Sequence, residues 1–421
     1  MFDANFHGGV FRAVAGSVSP GYYVHMANLF DYVSWRGDLD FDRFPFNPVD
    51  NIVFSQLSYL PMDGIVPEPG AEGFVSVGAL AKLFAAKRRA AGIAPKSARD
   101  MMVSGAVSVL NAVGTAPRYE DCGLFAYVNN TDLGEEKQFS AFCAVVGRKR
   151  LSRKLLVVYR GTDTSLVGWK EDLNMTFVNS VPSQKEAVSY LEKVARRCSY
   201  PLILAGHSKG GNLAIYASAF CGKTTQGRIT AIYANDAPGF HREIIRSESY
   251  AAVCRRIHAF VPQSSFVGML LEHGESHIVV KSNATGFLQH NMCTWEVTRD
   301  NLFPGGKLTP QSLLVNNIIR EWIGKFGEKE RHTFIDALYK ILVSANVTSF
   351  TELSADWPLA AVGIIGGLKH VDGPTKKLMG EIVGELFKTA RKNIIGQHKK
   401  NTATDTPRNT DAFKDDISNF L

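Results

Sequence analysis

The feature that most constrains this chain is Gly206-His207-Ser208-Lys209-Gly210, set between an apolar strand pattern and a helix pattern. Leu202-Ile203-Leu204-Ala205 reads as a buried strand, and Asn212-Leu213-Ala214-Ile215-Tyr216-Ala217 reads as a helix. A serine flanked by glycines two residues away on each side, between a strand and a helix, is the G-x-S-x-G nucleophile elbow in its proper context. The turn is sharp, and the glycines remove side chains that would clash and tolerate strained backbone. The helix starts at the serine, so its free N–H groups and positive dipole end face any anion formed there. The alternative is a Gly-rich strand-to-helix turn carrying a solvated serine.

The surrounding pattern predicts an α/β architecture. Asn47-Pro48-Val49-Asp50 opens a helix, with Asn47 as cap, Pro48 in the first turn and Asp50 near the positive end. Ile52, Val53, Gln56, Leu57 and Leu60 give that helix its buried face. Residues 77–118 carry two further helical patterns, a candidate cap over the site or ordinary packing. Leu124–Val128 and Phe139–Val146 read as a hairpin-like pair, followed by buried strands at Leu155–Tyr159, 201–205, Thr230–Ala234, Ile257–Val261 and His277–Val280. Buried strands alternating with helices indicate a mostly parallel sheet with helices on both faces. This domain is expected to span residues 1–304. Residues 305–396 read as a helical appendage: Thr309-Pro310 starts a helix that Gly327 ends, and later helices centre on Phe334, Leu338 and Leu342 and on Ile382, Val383 and Leu386. The polar stretch 397–421 is expected to be disordered.

Composition narrows the class. A 45% hydrophobic and 21% charged chain is an ordinary soluble globular protein. The first residues have no basic-then-apolar leader, so no signal peptide is expected. Trp357–Leu368 is too short and Gly-rich to span a bilayer. The six cysteines are scattered with no C-x-x-C pair, which predicts reduced thiols, a cytoplasmic location and no metal site. No cofactor is called for. The net charge is +7, with basic clusters such as Lys87-Arg88-Arg89 and Arg148-Lys149-Arg150. Such clusters are solvated faces or a means of peripheral contact with anionic membrane. No nucleic-acid motif accompanies them, so nucleic acid is not an expected partner.

A serine nucleophile needs a base, an acid that orients the base, and oxyanion donors. On a parallel sheet these follow strand carboxyl ends in the order serine, acid, histidine. His290, in the loop after the last strand, meets both conditions as base, with His273 in reserve; His277 starts a strand at the wrong end, and His258 lies inside one. Asp236 directly follows a strand, in Asn235-Asp236-Ala237-Pro238-Gly239, and is the candidate acid or an Asx-turn aspartate. The N–H of Lys209 is one oxyanion donor, and Thr162, after Arg160-Gly161, is the other. Gly161, Gly206 and Gly210 permit close approach, and Trp169 and Asp172 are read as supporting the Thr162 loop.

Two segments together resemble the class 3 (fungal-type) lipases: Val157-Val158-Tyr159-Arg160-Gly161-Thr162 with Trp169 and Asp172, and Gly206 through Ala214. A closer resemblance is to the bacterial DUF2974 (Mbeg1-like) family. It is carried by Asp50-Asn51-Ile52 through Tyr59-Leu60, the Arg160-Gly161-Thr162 segment, the elbow, Asn235 through Phe240, Val261 through Gly268, Gln289-His290 and Arg320-Glu321-Trp322. The resemblance implies an α/β-hydrolase fold over roughly residues 27 to 390 and supplies no substrate. The lipase pattern implies Ser208 as nucleophile, Thr162 as oxyanion residue and His290 as base. It departs at the acid, because serine stands at 264 and 265 where those lipases carry aspartate. Either Asp236 has taken over that role or the triad is incomplete. Lys209 is a second departure, placing a charge beside the site that favours an anionic substrate or simply points to solvent.

The expected function is cleavage of carboxylic esters, of a small-molecule ester or lipid, through an acyl-enzyme on Ser208. Two alternatives stay open: a catalytically weak scaffold that binds a lipid or a partner protein, and acyl transfer to an acceptor other than water.

Overall fold

The computed structural model describes residues 27–92, 101–163, 165–344, 369 and 371–402. An eight-stranded sheet organises them, in the spatial order β1 (Val75–Ser76), β2 (Gly123–Asp132), β3 (Lys137–Val146), β4 (Lys154–Tyr159), β5 (Leu202–His207), β6 (Ile229–Asn235), β7 (Ile257–Pro262), β8 (His277–Val280). Neighbours from β1 to β4 are antiparallel, and those from β4 to β8 are parallel. A parallel run of this kind, with a sharp strand-to-helix turn at its centre, is the α/β-hydrolase fold that the sequence implied.

The topology fixes where the helices lie. Every parallel crossover steps the same way across the sheet, and right-handed crossovers in one direction place their helices on one face. The elements α1 (Leu29–Arg36), α2 (Pro48–Leu57), α3 (Val77–Ala90), α4 (Met101–Val113), α5 (Leu166–Asn174), α6 (Pro182–Ala195), α7 (Lys209–Phe220), α8 (Lys223–Arg228), α9 (Arg242–Ile245) and α10 (Glu248–Cys254) divide accordingly. Tyr190 and Leu191 of α6, Leu213 and Ile215 of α7 and Tyr250 of α10 share one core with Leu155, Val157, Leu202 and Leu204. The alternate residues Leu156, Val158, Ile203 and Ala205 meet Ile52 and Val53 of α2, Leu80 of α3 and Leu110 of α4 on the other face. The region 77–118, read from sequence as a cap or as packing, thus buries one side in this second core, while Met101 and Met102 reach the cleft described below.

Helix α2 is capped as its sequence dictates. Asn47 Oδ1 accepts from the N–H of Val49 (2.9 Å) and Asp50 (3.3 Å), and Asp50 Oδ2 accepts from Asn47 N–H (2.9 Å). It points its polar side at the strand ends: Asn51 Nδ2 donates to Asn235 Oδ1 (2.8 Å), and Asn235 Nδ2 donates to Asn51 Oδ1 (3.0 Å) and Gly206 O (2.9 Å). This reciprocal amide pair ties the ends of β5 and β6 together just before Ser208 and Asp236.

Beyond the small hairpin at 297–302, α11 (Pro310–Ile323), α12 (Glu328–Ser344) and a C-terminal helix (Gly373–Thr402) pack on one another and on α5. Thr309 caps α11, accepting from Ser312 N–H at 3.2 Å. The helix closes at Gly324, whose N–H donates to Arg320 O (3.1 Å), rather than at the expected Gly327; its backbone stays right-handed (φ −66°), so the stop does not draw on glycine's freedom to go left-handed. Trp357–Leu368 and most of the polar tail 397–421 lie outside the described residues. No helix among the described residues is long and apolar enough to cross a membrane.

Candidate active site

Ser208 sits where β5 passes into α7, with φ +55° and ψ −130°. That conformation is strained for a residue with a side chain, and its surroundings hold it. The Ser208 N–H donates to Asn235 O at 2.9 Å. A Cβ on Gly206 would lie 2.2 Å from the Gly210 carbonyl, and one on Gly210 would lie 2.2 Å from Tyr159 O. Only glycines let the elbow close this tightly. Ser208 is 8% exposed and opens on a cleft of about 460 Å³ that also reaches His290, Thr162, Trp169, Asp172 and Lys209. Met101, Met102, Leu270, Leu271 and Phe287 make much of the remaining wall.

Asp236 directly follows β6 and is also held at positive φ (+44°). His290 Nδ1 donates to its Oδ2 at 2.6 Å. A carboxylate only accepts, so the proton resides on Nδ1 and Nε2 of the neutral imidazole is left as an acceptor. The other carboxylate oxygen, Oδ1, accepts from Ser265 Oγ (2.5 Å) and from the Gly268 N–H (3.1 Å). Asp236 is 1% exposed, and these bonds satisfy it. Ser265, one of the two serines near which the resembled pattern has aspartate, therefore hydrogen-bonds the aspartate that follows β6. Asp236 and His290 are brought together. The reserve base, His273, instead pairs its Nδ1 with Glu275 (3.1 Å) and does not line the cleft.

Beneath His290 lies a residue to which the sequence pattern assigned no role. His207 is fully buried, and its ring stands 4.4 Å from that of His290, centroid to centroid. Its Nε2 donates to His290 O (2.8 Å), and its Nδ1 accepts from Tyr59 Oη (2.7 Å). Burial first, and the neighbouring His290 second, hold its pKa well below the ordinary histidine value, so it stays neutral. Tyr59 and Asn51 belong to the α2 segment, and both brace the strand ends that carry the site.

On the other side, Thr162 Oγ1 donates to Asp172 Oδ2 (2.5 Å), which ties the loop after β4 to α5. Burial raises the Asp172 carboxyl to about 6, against the opposing pull of Lys209 and Thr162. A Cβ on Gly161 would lie 2.3 Å from Tyr59 Oη and 3.1 Å from Ser208 Cβ, so the loop passes directly beside the serine. Trp169 lines the cleft wall.

The Lys209 side chain does neither thing expected of it. It is 1% exposed, and its Nζ donates to Gln138 O, Gln138 Oε1 and Glu171 Oε2, each at 2.9 Å. Its charge is neutralised inside the protein and is not presented to a ligand. The partners come from β3 and α5, far away in sequence, which is why the local motif did not announce them.

Solved structures similar to part of the chain include three lipases. Rhizomucor miehei lipase in complex with its propeptide is 16% identical, with a TM-score of 0.32, over 44% of this chain and 71% of that one. M37 lipase is 13% identical, with a TM-score of 0.30, over 52% and 68%. A triacylglycerol lipase from Penicillium expansum is 13% identical, with a TM-score of 0.27, over 44% and 81%. No curated protein matches the sequence. The Mbeg1-like family matches residues 113–340, more than half of the chain and the span that carries Ser208, Asp236 and His290, and the protein belongs to that family.

Proposed function

We propose that the protein is a serine hydrolase that cleaves carboxylic esters of lipid or acyl type through an acyl-enzyme on Ser208. The observation that carries this reading is the 2.6 Å bond from His290 Nδ1 to Asp236, beside a serine held at positive φ on the same cleft. Ser208 Oγ attacks the ester carbonyl and His290 Nε2 takes its proton. The N–H groups of Lys209 and Thr162, with the start of α7, hold the oxyanion. The tetrahedral intermediate collapses, the C–O bond to the alcohol breaks, and the leaving oxygen takes the proton from His290. Water then enters, gives a proton to His290 and attacks the acyl carbon, so that the carboxylic acid leaves and Ser208 regains its proton.

The apolar wall supports an ester with a hydrocarbon acyl part. Neutralisation of Lys209 by Glu171 removes the reason to expect an anionic one. The test is to mix the protein with an activated ester, quench in acid and weigh the peptides. The reading predicts an acyl mass on the Ser208 peptide, absent in Ser208→Ala. Hydrolysis that persists in Ser208→Ala would refute it.

A further inference from the structure

A second cavity adjoins the Ser208 cleft. It measures about 210 Å³ and lies beneath the appended helices, between Ile319, Trp322 and Phe326 within and just after α11, Phe334 and Ile335 of α12, and Ile382 of the C-terminal helix. Leu173, Thr176 and Leu270 line both spaces, so the two share a wall of three residues. Three polar groups along this space donate to backbone carbonyls. Thr176 Oγ1 donates to Leu173 O (2.7 Å), Trp322 Nε1 to Ile382 O (2.9 Å) and Arg331 Nη1 to Thr176 O (3.3 Å). The rest of the lining is apolar apart from the Arg331 guanidinium, whose Nε has no hydrogen-bond partner, and Leu173, Thr176 and Leu270 are what stand between this space and the cleft at Ser208.

We propose that the cleft and this inner cavity form one acyl-binding site, occupied by the hydrocarbon chain of a long-chain ester whose carbonyl lies at Ser208. The inference deepens the hydrolase reading and rests on it for the position of the carbonyl. It also accounts for the helical appendage, since α11, α12 and the C-terminal helix wall the far end of the chain site. Each methylene taken from water into such a space favours binding by about fourfold. A chain long enough to pass Leu270 is therefore preferred over one that stops in the cleft.

The experiment uses the full-length Ser208→Ala protein, which needs no chemistry, and stearic acid brominated at mid-chain, which quenches nearby tryptophan fluorescence. Trp322 is the reporter in the inner cavity, and the quenching that Trp322→Phe removes is the signal. Bulk is added at the wall with Ile319→Phe, which is expected to weaken this binding by about tenfold or more, the worth of two or three methylenes. Quenching that does not depend on Trp322 overturns the proposal. So does an Ile319→Phe protein that unfolds at the wild-type temperature and binds as the parent does. In the Ser208 protein, the ratio of long-chain to short-chain ester turnover is expected to fall with Ile319→Phe by a similar factor. The two readings fail separately. Trp322-dependent quenching in a protein whose Ser208 never acylates keeps the chain site and ends the hydrolase reading, whereas acylation of Ser208 without that quenching ends the present inference alone.

Discussion

Replacing Asp236 by asparagine tests the wiring of the site more sharply than deleting the side chain. The carboxylate accepts on both oxygens: Oδ2 from His290 Nδ1, and Oδ1 from Ser265 Oγ and the Gly268 N–H. Asparagine keeps the shape but has one oxygen and one NH2 group. The Gly268 N–H can only donate, and a buried N–H left without an acceptor costs about 1–3 kcal/mol. Ser265 can rotate its hydroxyl, but Gly268 cannot adapt. The amide oxygen therefore stays with Gly268, and the NH2 faces His290. Nδ1 must then accept, the imidazole proton moves to Nε2, and Nε2 can no longer take the proton of Ser208. The fold is retained while the base is disabled, for which a loss of about ten-thousandfold is the appropriate scale. The assay is the second-order rate of fluorophosphonate labelling at Ser208, read beside thermal unfolding. A rate within a few-fold of wild type, in a protein that unfolds normally, would refute the reasoning and remove Asp236 from the acid role.

Other consequences follow from the same contacts. Lys209→Met leaves the Glu171 carboxylate buried without its cation, and is expected to cost about 3–5 kcal/mol in urea unfolding; an unchanged midpoint would contradict the buried pair. Burial lifts the Asp172 carboxyl from 3.8 to about 6, so its ionised form opposes folding. That cost is absent below the lower value and complete above the higher one, on the order of 3 kcal/mol. The stability of Asp172→Asn relative to wild type should therefore rise as pH climbs through this window, and a flat difference would show that the group is not shifted. Tyr59→Phe leaves His207 Nδ1 buried without a donor, with an expected loss of about 1–3 kcal/mol and slower labelling of Ser208, because His207 in turn holds the His290 backbone. Gly268→Ala would set a Cβ 2.4 Å from Asp236 Oδ1, and should abolish labelling even where circular dichroism reports a folded chain.

The elbow was legible because its geometry admits few residues: the closeness of Gly206 to Gly210 and of Gly210 to Tyr159 is a demand for glycine that the sequence records directly. The buried parallel strands were legible for a similar reason, being apolar on both faces. The His290 contact of Asp236 was not legible in the sequence, since an aspartate in a Pro-Gly turn looks the same whether it caps the turn or reaches a histidine 54 positions on. Ser265 gave a signal only as a departure from a resembled pattern, and that departure becomes intelligible once its hydroxyl is seen on Asp236. Lys209 was misread because Gln138 and Glu171 approach it from separate elements, and spacing along the chain carries no trace of them. The second core, on the face built from α1 to α4, follows from the one-way crossovers rather than from any local motif.

Whether Ser208 is an activated nucleophile decides the hydrolase reading, and one measurement addresses it directly. Purified protein and its Ser208→Ala variant are exposed to a fluorophosphonate, and the adduct is located by peptide mass spectrometry. An activated serine predicts rapid modification confined to Ser208 and none in the variant. A folded wild-type protein that stays unmodified, or one modified equally with and without Ser208, would contradict it.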